Sequence, residues 1–257
     1  MTSHAADWFI SHDTGTPGVP RIFCFPHAGG NPRAFLDWQP GLAGDAEILA
    51  VCRPGREHRA AEPAPTIEEF IAGASTAIAE LSADGRPGYL FGHSLGALIA
   101  FEVCRRLAGT PAQPRAFVAS GCSAPPLLPS ARVRQIATLT GQEFAEAVGF
   151  FGGLPAEVIA DPDVRDLLLP GVIADFRMAV GYRYQAGPRL AVPGTLVVGR
   201  DDPHVRPEQA AGWDAEFTWP PDRHWVEGGH FYFDPRPERI VDILRSLVQA
   251  DQHVELI

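Results

Sequence analysis

The chain predicts an α/β fold, a mostly parallel central sheet flanked by helices. Three observations carry this. Short apolar runs bounded by Gly and Pro alternate with longer helix-patterned segments, as parallel strands joined by crossover helices require. Helix-start signals fall shortly after those apolar runs. The 257 residues suffice for one large α/β domain with a full core and a modest insertion.

The elements follow in order. Arg21-Ile22-Phe23-Cys24-Phe25 reads as a strand, and Asn31-Pro32 opens a helix with Asn at the cap and Pro in the first turn. Residues 47–52 form the next strand. Thr66-Ile67-Glu68-Glu69 is a capping box that starts an amphipathic helix over 66–81. A short buried strand covers 88–91, and a helix over 95–107 is closed by Gly109. Strands are expected at 116–121, at 195–199 and around Trp225-Val226, and a last helix over 237–248. Between about 123 and 188 the alternation stops. Two or three helix-like segments occur there without a strand, one opened by the box Thr140-Gly141-Gln142-Glu143. Some 65 residues are too many for one crossover, so a helical lid over the strand ends is expected within a single domain, 1–257.

Composition narrows the function classes. A hydrophobic fraction of 46% with 20% charged residues is ordinary for a globular enzyme. A net charge of −10 gives no electrostatic case for nucleic acid or an anionic membrane. No run approaches the roughly 18 apolar residues of a membrane span, and the start has neither basic nor apolar signal-peptide regions, so a cytoplasmic protein is expected. Lysine is absent, which removes lysine-based catalysis. Cys24, Cys52, Cys104 and Cys122 form no CxxC pair, and the nine histidines show no HExxH spacing. Reduced core cysteines and no metal are therefore expected.

The chemistry centres on Gly92-His93-Ser94-Leu95-Gly96, lying between a strand and a helix. That context makes G-x-S-x-G a nucleophile elbow, in which the glycines let backbone pass closely and the helix N-terminus faces the developing oxyanion. The α/β-hydrolase fold follows, with its chain order of Ser, acid, His. His230, in Gly228-Gly229-His230-Phe231 after the last strand-like run, is the expected base. Gly199-Arg200-Asp201-Asp202-Pro203 offers two adjacent acids. Asp202 is chosen from the usual form of this turn, with Asp201 as the alternative. The amides of Leu95 and Ala28 are the expected oxyanion donors, the latter in Pro26-His27-Ala28-Gly29-Gly30. His27 precedes the nucleophile and is assigned a structural or pocket-lining role.

Beyond the elbow, the sequence resembles the type II thioesterases that accompany polyketide and nonribosomal peptide synthases. The resemblance spans nearly the whole chain. It rests on Phe25-Pro26-His27-Ala28-Gly29-Gly30, Pro54-Gly55-Arg56-Glu57 with Arg59, and Gly92-His93-Ser94-Leu95-Gly96-Ala97-Leu98. It continues through Gly152-Gly153-Leu154-Pro155, Ala174-Asp175-Phe176, Tyr182-Arg183-Tyr184 and Gly228-Gly229-His230-Phe231-Tyr232. Ile173 departs from the pattern, where the family often has arginine; this touches the lid and leaves the triad intact. The resemblance implies hydrolysis of acyl groups held as thioesters on the phosphopantetheine arm of an acyl or peptidyl carrier protein, without a cofactor, to clear mis-primed synthases. Arg53, Arg56 and Arg59 are candidates for phosphate or carrier contact, or equally for pairing with nearby carboxylates. Phe144, Phe150, Phe151 and Phe176 are the expected apolar lining of an acyl chamber, with Leu139 as a further apolar lid residue. A small-molecule carboxylesterase or lipase, or an acyltransferase or cyclase, would use the same triad. A non-enzymatic binding protein of this fold would usually lack a triad member, and here all three are present.

Overall fold

The computed structural model describes residues 5–12, 18–150, 154, 156–234 and 236–254. Its described strands are β1 (Phe9–Ile10), β2 (Arg21–Phe25), β3 (Glu47–Val51), β4 (Gly88–His93), β5 (Ala116–Ser120), β6 (Gly194–Gly199) and β7 (Asp222–Val226). They form one sheet in the order β1-β3-β2-β4-β5-β6-β7. Every pairing is parallel except that of β1 with β3. This is the α/β-hydrolase arrangement that the elbow predicts.

Strands β2 to β6 are largely apolar on both sides because both faces are covered, whereas the edge strand β7 begins with the exposed Asp222 and Arg223. Along β2 the period of two sends Phe23 and Phe25 into one core and Ile22 and Cys24 into the other. The first core is closed by α1 (Ile67–Leu81) and α2 (Leu95–Leu107), the second by Trp38 and the last helix. α1 carries the expected capping box: Thr66 Oγ1 accepts from the Glu69 amide at 3.2 Å, and the Thr66 amide donates to Glu69 Oε2 at 2.8 Å. Asn31 Oδ1 accepts from the Arg33 amide at 2.9 Å, but the segment it opens, Pro32–Leu42, winds as 3₁₀ turns rather than an α-helix. Pro40 lies inside that segment and has no amide hydrogen to donate.

Between β5 and β6 the described residues form four α-helices: α3 (Ala131–Ile136), α4 (Gly141–Gly149), α5 (Ala156–Ala160) and α6 (Pro162–Gly181). They share a small core of their own, built from Ile136, Phe144, Val148, Leu169, Val172 and Phe176. The expected capping box at Thr140 does not form. Gly141 enters α4 at φ +53°, and the Thr140 side chain makes no cap bond. After β6 come the short α7 (Pro207–Ala211), which was not expected from the sequence, and α8 (Glu238–Val254), which runs six residues past its expected end. Among the described residues no helix is long and apolar enough to cross a membrane.

Candidate active site

Ser94 sits between β4 and α2 at φ 54°, ψ −118°, a conformation that costs a residue with a side chain about 1–3 kcal/mol. The surroundings fix it there. The Ser94 amide donates to the Ser120 carbonyl at 2.8 Å, and the Ala97 amide donates to the Ser94 carbonyl at 3.0 Å. A Cβ on Gly92 would collide with the Gly96 carbonyl, and one on Gly96 with the carbonyl of Phe25. Both glycines of the motif are therefore demanded by backbone crossing backbone.

The acid and the histidine come from the ends of β6 and β7. The Arg200 amide donates to Val226 O at 2.8 Å and the Asp201 amide to Gly228 O at 3.0 Å, which locks the two loops together. Gly199 passes so close to the carbonyls of Gly228 and Gly229 that a Cβ has no room. In this frame Asp202 turns inward and Asp201 stays exposed. Asp202 Oδ2 lies 2.8 Å from His230 Nδ1, and Oδ1 accepts the His204 amide at 2.8 Å. The carboxylate is thus aimed by a backbone donor on one oxygen and holds the imidazole with the other.

Three more histidines crowd His230. His93 Nδ1 is 2.8 Å from Ser120 Oγ, which is 2.8 Å from Tyr232 Oη, and the His93 ring centroid is 4.8 Å from that of His230. His204 meets His230 edge-on at 5.0 Å, and His27 packs against Phe231 at 4.7 Å. Burial holds His93 well below its ordinary value. Burial, with Arg53 beside it, pushes His27 down to about 3, and burial lowers His204 to about 4. These three are neutral at pH 7, so a positive charge forming on His230 meets no charged histidine. His93, the x position of the elbow, thus packs against His230 and is itself held through Ser120 and Tyr232, contacts that motif reading alone does not disclose.

The loop after β2 brings Ala28 into the wall of the cavity that Ser94 and Leu95 also line. The Gly30 amide donates to His27 O at 2.9 Å and the Gly29 amide to Asp175 Oδ2 at 2.7 Å. Arg53 is buried and donates to Asp175 Oδ2, to Pro26 O and, at 2.8 Å, to His27 O. Arg56 donates to Asp175 Oδ2 at 2.6 Å and to Gly30 O at 3.1 Å. Arg59 pairs with Glu62 at 2.7 Å and lies 4.1 Å over the Trp8 ring. All three arginines weighed as carrier contacts are therefore engaged within the chain, on the structural side of the alternative.

A cavity of about 280 Å³ joins Ser94, Leu95, Ala28 and His230. Leu98, Leu128, Val133, Phe176, Ala179 and Val205 give it an apolar lining, to which Ser123, Ser130, Arg132, Arg206 and Gln209 add polar groups. Only one of the aromatic lid candidates is seen to line it. Phe176 does; Phe144 is fully buried behind it, the ring centroids 5.4 Å apart. Phe150 is 65% exposed at the end of α4, with Arg132 4.4 Å above its ring. Phe151 lies outside the described residues. Helical geometry explains the correction: six residues on, at 100° each, Phe150 stands about 120° around from Phe144. Cys122 also lines the cavity, but burial pushes its thiol up to about 12, which leaves no thiolate to compete with Ser94. Among the described residues no cluster of side chains has the makings of a metal site.

Residues 20–248 match the thioesterase domain family. The chain is 32% identical over 248 residues to the probable cadicidin biosynthesis thioesterase of Streptomyces griseus, covering 96% of this chain and 68% of that protein. It is 32% identical over 251 residues to the AMB antimetabolite synthetase AmbE of Pseudomonas aeruginosa, covering 95% of this chain but only 11% of that much longer protein. The solved structure of the type II thioesterase BorB from the borrelidin biosynthetic cluster superposes with a TM-score of 0.83 at 31% identity, over 94% of this chain and 97% of that one. The chain belongs to the thioesterase family, a family of hydrolases acting on thioesters.

Proposed function

We propose that the chain is an editing thioesterase that releases acyl groups from the phosphopantetheine arm of acyl or peptidyl carrier proteins. The observation that carries this is the 2.8 Å contact between Asp202 and His230 at the wall of an apolar cavity shared with Ser94. His230 takes the Ser94 proton through Nε2 as the hydroxyl attacks the thioester carbonyl. The Ala28 and Leu95 amides receive the oxyanion, the C–S bond breaks, and the departing sulfur takes from His230 the proton that came from Ser94. His230, having given up that proton, then draws one from water, which attacks the Ser94 acyl ester; the acyl–oxygen bond breaks, His230 returns the proton to Ser94 Oγ, and the acid is freed. Asp202 holds the working tautomer throughout. The helices between β5 and β6 act as the lid, with Phe176 facing the acyl chain.

The kinship with a Streptomyces biosynthesis thioesterase, and with part of a synthetase, supports a carrier-bound substrate over a free ester. The apolar wall supports loose acyl selectivity, since one methylene in such a pocket is worth only about 1–3 kcal/mol. The test is to incubate the protein with several acyl-carrier species and follow acyl loss by intact mass. kcat/KM on carrier thioesters is expected to exceed that on the same acyl group joined to a small thiol or alcohol. Equal rates on p-nitrophenyl esters and on carrier thioesters would favour a plain esterase.

A further inference from the structure

The oxyanion loop is held from an unexpected direction. Asp175 belongs to α6, in the inserted helices, yet its Oδ2 receives the Gly29 amide, Arg53 and Arg56 together. Arg53 and Asp175 are each only 3% exposed. Arg53 passes the same restraint to the carbonyls of Pro26 and His27, and Arg56 to that of Gly30. Every residue flanking Ala28 is thereby tied, directly or through an arginine, to one carboxylate. The neighbouring face of α6 fits this contact. A Cβ on Gly171 would stand 3.2 Å from Arg56, and one on Gly29 would stand 3.2 Å from Val172. Positions 171, 172 and 175 lie on one side of the helix.

Burying charge is costly, and an apolar pair seals a contact equally well. What the carboxylate adds is direction, because it fixes the amide plane beside Ala28. We propose that Asp175 is a positioning residue of the reaction: by seating α6 on the loop after β2 it sets the Ala28 amide, so the oxyanion hole is complete only while this part of the insertion is docked. The proposal rests on Ser94 as nucleophile and Ala28 as oxyanion donor.

The test compares wild type with Asp175→Leu, Arg53→Met/Asp175→Leu and Asp175→Asn, on an acyl thioester and a p-nitrophenyl ester. A serine-directed phosphonate counts competent sites. Asp175→Leu leaves the buried Arg53 charge without its carboxylate, although the Pro26 and His27 carbonyls still accept from it, and is expected to lower Tm; the double variant removes both charges and recovers it. A merely structural ion pair would recover rate along with Tm. A positioning role predicts that the double variant keeps KM and loses about 10- to 100-fold in kcat, short of the 10²–10³ for deleting a donor outright. Affinity for an alkyl boronic acid, whose tetrahedral adduct puts an oxygen in the same hole, is expected to fall by a similar factor. Should the double variant not fold, Asp175→Asn gives the same reading, with a smaller loss of kcat at constant KM. Wild-type kcat in a folded variant, or a loss confined to KM, overturns the proposal. Failure of the phosphonate to label Ser94 in wild type would instead sink the nucleophile assignment.

Discussion

The two sides of the cavity are built by different means. On the sheet side, Ser94, Asp202 and His230 stand at strand ends where backbone meets backbone and glycine alone fits, at 92, 96 and 199. On the inserted side, α3 to α6 are held by side chains: a small apolar core around Phe144 and Phe176, and the Asp175 carboxylate. Steric exclusion leaves the first side one arrangement, whereas the second depends on contacts that can be traded one at a time. Chemistry should therefore fail abruptly with changes on the sheet side, and by degrees with changes on the other.

Ser94→Ala is expected to give the largest effect, a loss of kcat of about 10⁶-fold with Tm unchanged or raised, since the alanine still has to hold φ 54° but loses only one oxygen. Circular dichroism and turnover on one substrate check it, and substantial activity in the folded variant would remove Ser94 from the mechanism. Asp202→Asn comes next, at about 10⁴-fold in kcat, because the amide favours the wrong tautomer of His230. Asp201→Asn, exposed and pointing away, is expected to remain near wild type. If Asp201 proves the more damaging site, the roles must be exchanged.

On the inserted side the effects are smaller and mostly on stability. Phe144→Ala empties a fully buried site and is expected to cost about 3–5 kcal/mol by denaturant unfolding. Phe150→Ala, on an exposed ring, is expected to stay within about 0.5 kcal/mol. Phe176→Ala is expected to raise KM for long acyl chains more than for short ones, as a lining residue should. Equal costs for Phe144 and Phe150 would contradict the packing.

The histidines give the gentlest test. The folded protein holds His27 near 3 and His204 near 4, whereas an unfolded chain titrates histidine near 6.5. Between about pH 4 and 6.5 the unfolded state binds protons that the folded state refuses, so stability falls as pH falls through that window. Tm measured from pH 7 to 4.5 should decline, and more shallowly in His27→Asn. A flat profile in wild type would mean these rings are not buried neutral.

The same contrast explains what the sequence made legible. Gly92 and Gly96 could be read because steric exclusion leaves a local pattern, and the pairing of Asp202 with His230 because the fold's chain order points to it. The short apolar run of β2 and the capping box at Thr66 are local as well. Asp175 reaches Gly29 across 146 residues, and no nearby spacing announces such a contact. It surfaced in the sequence only inside a family motif without a stated role. β1 pairs over two residues, too few for a periodic signal. Thr140 shows the reverse failure, a capping-box pattern that Gly141 redirects.

The assignment of Ser94 as the acyl acceptor is the claim on which the rest depends, and covalent labelling tests it most directly. Wild-type protein is treated with a serine-directed phosphonate, assayed for acyl loss from a loaded carrier, and peptide-mapped. The account predicts one adduct per chain, on the peptide carrying Ser94, with carrier deacylation lost in proportion to labelling and no adduct in Ser94→Ala. An adduct on another residue, or full deacylation by a chain labelled at Ser94, would contradict it.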